Sequence, residues 1–330
     1  VIDLADIRAA AERIHGGVHR TPLLSATTLG ERVGVQLHLK CENFQKTGSF
    51  KARGALNKVL SLDRHDQQRG LITVSAGNHA QAVAWAAARV GVPAMLVMPS
   101  DAPIGKIEAV RGYGGTIVFH DNRATLFDRL ADEQERTGAT FVHPFDDPVV
   151  LAGAGTTGLE IIEDLPDADL VLVPVGGGGL LGGVASAVKA LSPGCHVVAV
   201  ELAAGPGLGP ALQAGEPVPV PRPSGTLADG MTPPFVGKLP LQITQRCVDR
   251  IVTVTEAQIV NAMAGLATRA KLFVEGSGAA ATAALLSGAV KVAPGAKVVS
   301  LVSGGNVDIA RFSALYAKVE SSAAKPTRTA

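Results

Sequence analysis

Leu71-Ile72-Thr73-Val74-Ser75-Ala76-Gly77-Asn78 is the stretch whose reading decides the fold. Four strand-forming residues run straight into a loop of small residues. An Ala-rich helical stretch continues through Arg89, Gly91 ends it, and Pro93 to Met98 begins another apolar run. This is the strand, turn, helix, strand unit of a parallel sheet. The pattern occurs twice more. Leu170 to Val175 turns through Gly176-Gly177-Gly178-Gly179 into a helix ending near Leu191, then returns as His196 to Val200. Lys297 to Val302 leads through Ser303-Gly304-Gly305-Asn306 into Val307 to Ala317. The class is therefore α/β. Each turn lies where a strand hands over to a helix, the edge at which open α/β folds bind ligands, so the three turns are expected to face one cleft.

With 330 residues, the chain exceeds the size at which one hydrophobic core stops growing, so two lobes are expected. Hydrophobic residues make up 47% and charged residues 18%, which excludes a disordered chain. Thirty basic residues nearly balance 29 acidic ones, and the formal charge of +1 gives no basic stripe for a nucleic acid. Cys41, Cys195 and Cys247 are odd in number and widely spaced, which fits neither a disulfide framework nor a paired metal motif. They read as reduced core thiols in a cytoplasmic protein. The N-terminal run Val1-Ile2-Asp3-Leu4-Ala5-Asp6 has acids where a signal peptide has bases, and no apolar run reaches bilayer-spanning length. Neither secretion nor a membrane partner is expected. Gly205 to Pro240, rich in Pro and Gly, reads as irregular connection, and the tail from Ser321 reads as disordered.

The run most informative about chemistry is Lys40-Cys41-Glu42-Asn43-Phe44-Gln45-Lys46-Thr47-Gly48-Ser49-Phe50-Lys51-Ala52-Arg53-Gly54-Ala55. It places Lys51 after a Thr-Gly-Ser loop, at a point where a helix can begin. A lysine that forms an imine must lose its proton, although its ordinary pKa is about 10.4. Burial beside Phe50, near the positive end of a helix, would favour the neutral amine. The competing reading is one more solvated lysine on a helix face, and for a lysine taken alone it wins.

Other loops bear on that choice. Gly176 to Gly179, between a strand and a helix, lets backbone N–H groups converge on an anion, with phosphate the natural ligand. The loop lacks the Gly-Lys-Ser/Thr ending of a nucleotide P-loop. Gly177, Gly179 and Gly182 also satisfy the dinucleotide pattern, and Glu201 lies where a ribose-binding acid belongs, so an NAD-dependent dehydrogenase is a rival. A plain packing role for these glycines is a third option. Ser303 sets a hydroxyl at the sheet edge, placed either to meet a ring nitrogen or to cap the last helix. Ser75-Ala76-Gly77-Asn78-His79 offers backbone N–H groups for a carboxylate and the Asn78 side chain for a phenolic oxygen. For His79, a capping or packing role weighs as much as catalysis.

These motifs, in this order, resemble the fold type II pyridoxal-phosphate (PLP) enzymes, specifically their threonine/serine dehydratase and serine racemase branch. The resemblance runs from Arg20-Thr21-Pro22-Leu23 to Ser303-Gly304-Gly305-Asn306. It implies two open, mostly parallel sheet domains with flanking helices, like the tryptophan synthase β chain. Residues 45–145 would form a small mobile lobe, and residues 1–44 and 146–330 a large PLP-binding one. Thr47 to Ala55 would be the cofactor-lysine motif, with Phe50 beside the ring and Lys51 bonded to the cofactor's aldehyde carbon. Asn78 would meet the 3-hydroxyl, Gly176, Gly177, Gly178, Gly179 and the Leu180 amide the phosphate, and Ser303 the pyridine nitrogen. Ser75, Ala76, Gly77, Asn78 and His79 would bind the substrate carboxylate.

The implied reaction is β-elimination of a small hydroxy amino acid, L-threonine or L-serine, to a 2-oxo acid and ammonia. The freed Lys51 amine would take the Cα proton, and the cofactor phosphate would protonate the leaving oxygen. A neutral Ser303 partner suits elimination better than transamination. Racemases of this branch carry a serine hydroxyl at position 76, and Ala76 has none, so dehydration is expected over racemisation. The β-replacement enzymes are the other PLP alternative. Ala154 replaces a common Gln and is expected to alter the cleft. Glu201 matches the first acid of a cation site known in many relatives, but Leu202 to Pro210 supplies no second acid, which argues against a divalent cation. Glu275-Gly276-Ser277-Gly278 departs from a Glu-Pro-x-Gly form. From the chain's length a C-terminal amino-acid-sensing domain is not expected, and the branch commonly forms homodimers or homotetramers.

Overall fold

A computed structural model describes residues 1–323, apart from 222 and 224. Its strands are β1 (Leu23–Ser25), β2 (Gln36–Cys41), β3 (Leu71–Val74), β4 (Ala94–Pro99), β5 (Thr116–His120), β6 (Thr140–Phe141), β7 (Leu170–Pro174), β8 (His196–Leu202), β9 (Arg250–Val254) and β10 (Lys297–Val302). They form two sheets. The larger has the order β1-β2-β10-β7-β8-β9 and is parallel except for the antiparallel β1–β2 edge. The smaller, β5-β4-β3-β6, is parallel throughout.

Both sheets are covered on two faces, which is why their central strands read as unbroken apolar runs. In β7, Leu170 and Leu172 join one core with Ala262 and Ala280 of the helices Glu256–Gly265 and Gly276–Leu286. Val171 and Val173, pointing the other way, join a second core with Ile161 and Val184 of the helices Pro148–Asp164 and Gly179–Leu191. Helix Pro148–Asp164 also packs on helix Lys51–Ser61 at a glycine crossing. A Cβ on Gly54 would lie 2.7 Å from the Val150 carbonyl oxygen, and one on Gly153 would lie 2.7 Å from the Gly54 Cα. The start of the Lys51 helix is thereby seated on a helix that covers the larger sheet.

Three expectations need correction. Gly205 to Pro240 is not wholly irregular, because Leu208–Ala214 is a helix closed by Gly215 in the left-handed region (φ 77°). Pro210 falls within its first turn, where a missing N–H costs no intrahelical bond. The last helix starts at Ile309, well after Ser303, so Ser303 does not cap it. That helix extends through Ala323, past the point where the tail was expected to lose order. The remaining tail residues lie outside the described ones. Among the described residues, no helix is long and apolar enough to cross a membrane.

Candidate active site

Lys51 opens its helix, and the loop before it is joined to the turn after β10. Phe50 N donates to the Ser303 carbonyl oxygen (3.1 Å), Gly305 N donates to that of Gly48 (2.9 Å), and Ser49 bridges Gly304. The Lys51 amine donates to the Pro144 carbonyl oxygen at 2.6 Å and stands 5.1 Å from the centre of the Phe50 ring. Burial pulls the amine down to about 8, and among the described residues no carboxylate pairs with it to compensate. This answers the objection that Lys51 is an ordinary solvated lysine.

Two residues on, Arg53 faces the opposite way and is fully buried. Its guanidinium grips Glu42 with two donors (2.7 and 2.8 Å) and reaches both oxygens of Glu160 (2.6 and 2.9 Å), while Lys40 reaches Glu160 at 2.7 Å. Two cations balance two carboxylates, as a buried network requires. Burial would raise the Glu42 carboxyl, but Arg53 outweighs it and holds Glu42 below its ordinary range. Sequence reasoning assigned no role to these four residues, since the partners lie up to 120 residues apart.

Asn78 opens helix Asn78–Val90. Its Nδ2 donates to Glu275 Oε1 at 2.6 Å and its Oδ1 accepts from Asn306 Nδ2 at 2.9 Å, while that same Nδ2 also donates to the Thr47 carbonyl oxygen. Four loops meet through this chain of side chains. It also fixes which face of the Asn78 amide is the donor. Burial raises the Glu275 carboxyl above the ordinary range against the pull of Lys106. In the same loop, Gly77 N donates to Ser75 Oγ at 3.1 Å. His79 is buried, and its Nε2 lies 3.0 Å from the Val142 carbonyl oxygen, which requires the proton on Nε2. Burial and the Lys51 charge hold His79 well below its ordinary value, so the ring is neutral and anchored. This geometry favours the packing role for His79.

Gly176 to Gly179 close the opposite side. Gly178 adopts φ 91°, open to glycine at little cost, and Gly179 begins its helix, leaving the first-turn amides of Gly179 and Leu180 without helical acceptors. The Phe145 ring packs on Gly177, and Gly237 N donates to the Gly177 carbonyl oxygen at 3.0 Å. Ser303 is buried, its Oγ 3.4 Å from the Ser277 carbonyl oxygen. In turn, Ser277 Oγ accepts from Gly230 N at 3.1 Å, and a Cβ on Gly176 would lie 2.7 Å from the Gly230 carbonyl oxygen. Every loop singled out in the sequence thus borders one region.

Glu201 takes no part in it. Its carboxylate accepts from the N–H groups of Gly207, Leu208 and Gly209 at 2.7, 2.6 and 3.2 Å, capping the helix Leu208–Ala214. The dinucleotide reading and a cation site both need that carboxylate, and it is committed elsewhere. Ala154 is buried in the core with Leu181 and Val184, so its effect falls on packing rather than on the cleft. Gly276, where a proline was expected, lies against the Leu227 carbonyl, and no Cβ fits there unless that loop moves.

Of the eight buried side-chain polar atoms without a protein partner among the described residues, four are Thr47 Oγ1, Ser49 Oγ, His79 Nδ1 and Glu275 Oε2. Such atoms are rare in folded proteins, and all four belong to the loops bordering Lys51. With the free helix-start amides and the depressed amine, they suit a polar aldehyde cofactor carrying a phosphate.

Comparison with known proteins agrees. A family described as "Pyridoxal-phosphate dependent enzyme" matches residues 14–304. The chain belongs to that family, and pyridoxal phosphate is its cofactor. It is 44% identical over 314 residues to an L-threonine ammonia-lyase of Thermotoga maritima, covering 94% of this chain and 77% of the relative. To the catabolic L-threonine dehydratase TdcB of Escherichia coli it is 41% identical over 321 residues, 97% of each chain. Maize serine racemase superposes with a TM-score of 0.89 at 38% identity, over 97% of this chain and 99% of that one. The expected α/β architecture of fold type II PLP enzymes is therefore correct.

Proposed function

We propose that this chain catalyses the β-elimination of L-threonine or L-serine to a 2-oxo acid and ammonia; the relatives above are named for this reaction on L-threonine. The carrying observation is Lys51, a lysine whose amine burial lowers to about 8 at the meeting point of the site loops. In this reading Lys51 holds the cofactor covalently beside Phe50. The amides of Gly176 to Gly179 and Leu180 take its phosphate, Asn78 its phenolic oxygen and Ser303 its ring nitrogen. Pyridoxal phosphate, when bound, supplies an electron-withdrawing ring that makes the Cα proton of an attached amino acid acidic.

The chain does the rest. The Ser75–His79 loop orients the substrate carboxylate through the amides of Ala76, Asn78 and His79, those of Ser75 and Gly77 already donating to the Val97 carbonyl oxygen and to Ser75 Oγ. The Lys51 amine, steered by the Pro144 carbonyl, takes the Cα proton from one face. On the other face Ala76 has no hydroxyl to return a proton, which favours elimination over the racemisation named in the maize relative. The small lobe, residues 45–145, closes over residues 1–44 and 146–330 and excludes water. We further propose a cytoplasmic homodimer or homotetramer.

Lys51→Ala tests the assignment. Borohydride should no longer fix cofactor to the protein, and 2-oxo acid release from L-threonine and L-serine should fall about 10³-fold or more. Turnover that survived with little loss would overturn it. Formation of D-serine as fast as pyruvate from L-serine would move the chain to the racemases.

A further inference from the structure

Lys106 lies on helix Ile104–Gly112, outside every motif read from the sequence. It is 8% exposed, and its Nζ pairs at 2.6 Å with Asp229, which belongs to the large sheet's half of the chain. The same ammonium lies under the Ser75–His79 loop, so close that a Cβ on Gly77 would stand 2.9 Å from it. The Asp229 loop is held from the other side. A Cβ on Gly230 would lie 2.9 Å from Ser277 Oγ, and Gly276 abuts the Leu227 carbonyl. Burial opposes the Lys106 charge, but Asp229 and Glu275 outweigh it and hold the proton more firmly than usual.

A fixed cation directly behind a loop of N–H groups adds to the potential those groups present to an anion. Asp229 offsets part of that charge, so what the loop meets is an ion pair with its positive end against Gly77. We propose that Lys106 is a positioning residue for the substrate carboxylate: clamped by Asp229 across the lobe boundary, it supports Gly77 and supplies the positive field behind the Ser75–His79 loop. The inference deepens the proposed function and rests on the assignment of that loop to the carboxylate. It ties carboxylate recognition to the closed lobe arrangement, because the clamp exists only when the two halves meet.

The test uses holoenzyme and two ligands that undergo no elimination, L-alanine and its carboxylate-free counterpart L-alaninol, each titrated through the absorbance of the bound cofactor. Lys106→Gln should weaken L-alanine about tenfold and L-alaninol less than about threefold, and Lys106→Arg should restore most of the loss. For L-threonine turnover the same variant should raise KM about tenfold with kcat within about threefold. Equal weakening of both ligands, or of neither, would overturn the proposal and leave Lys106 a packing residue. If Lys106→Gln does not fold, Lys106→Met, which keeps the apolar stem and drops the charge, decides: it should weaken L-alanine about tenfold while sparing L-alaninol, and an unselective or absent effect counts against the proposal. Wild-type holoenzyme that binds L-alanine more tightly than L-alaninol but releases no 2-oxo acid from L-threonine or L-serine would defeat the proposed reaction while leaving this inference standing.

Discussion

Lys51 and Arg53 lie two residues apart on one helix. Lys51 is partly buried and Arg53 fully buried, and burial pushes both toward losing a proton. Their outcomes are opposite. The Lys51 amine has a carbonyl oxygen and an aromatic ring for neighbours, so burial wins and the amine falls to about 8. Arg53 has Glu42 and Glu160 against its guanidinium, and their attraction outweighs burial and holds its proton above the ordinary range. Whether a buried cation becomes a base or a brace depends on its partners more than on its depth. One helix supplies both, and the brace fixes where the base can reach.

The harshest way to break this contrast is to remove the brace. Arg53→Met leaves Glu42 and Glu160 with Lys40 as their remaining buried cation and should cost about 3–5 kcal/mol, read by urea unfolding of the holoenzyme. A loss under about 1 kcal/mol would mean that the carboxylates find water, and the contrast would fail. A milder change gives Lys51 the partner it lacks. Phe50→Glu sets a carboxylate near the amine and should return its pKa toward the ordinary lysine range, slowing cofactor capture at neutral pH about tenfold. An unchanged capture rate would show that missing counter-charge does not govern the amine.

The smallest effect needs no substitution. In cofactor-free protein the reactive neutral amine grows as pH passes about 8, so the rate of cofactor capture, followed by absorbance, should rise about threefold from pH 7.5 to 8.5 and level off above. Stability follows the same group. The cost of burying the ammonium is full below about 8 and fades as pH approaches the unfolded lysine value of about 10.4. Cofactor-free protein should therefore gain stability across that window, and a flat profile would place the amine in water.

Local signals made the cleft readable. Leu71 to Asn78, Leu170 to Gly179 and Lys297 to Asn306 each carry strand, turn and helix within one short window, and they fall at the edges where the structure puts them. The same local signals singled out Lys51, Asn78, the four glycines and Ser303 as candidates. What stayed hidden depends on distant partners. The Arg53 network joins residues from three parts of the chain, and Lys106 gains meaning only from Asp229 and Gly77. Glu275 was noted as part of an altered motif, yet its bond to Asn78 spans 197 residues. The helix Leu208–Ala214 was missed because a carboxylate outside the segment, Glu201, caps it.

The place of β10 between β2 and β7 has a consequence for how the protein is made. The four strands of the smaller sheet are contiguous, complete once Phe141 has left the ribosome. The larger sheet cannot close then, because the strand that joins its N-terminal hairpin to β7 is the last to be synthesised. Until residues 297–302 emerge, the edges of β2 and β7 stay open, and the Ser303 turn that meets Phe50 has yet to exist. Assembly of the catalytic cleft is therefore a late, long-range event, the slow kind of step during which an unfinished chain is most exposed to aggregation.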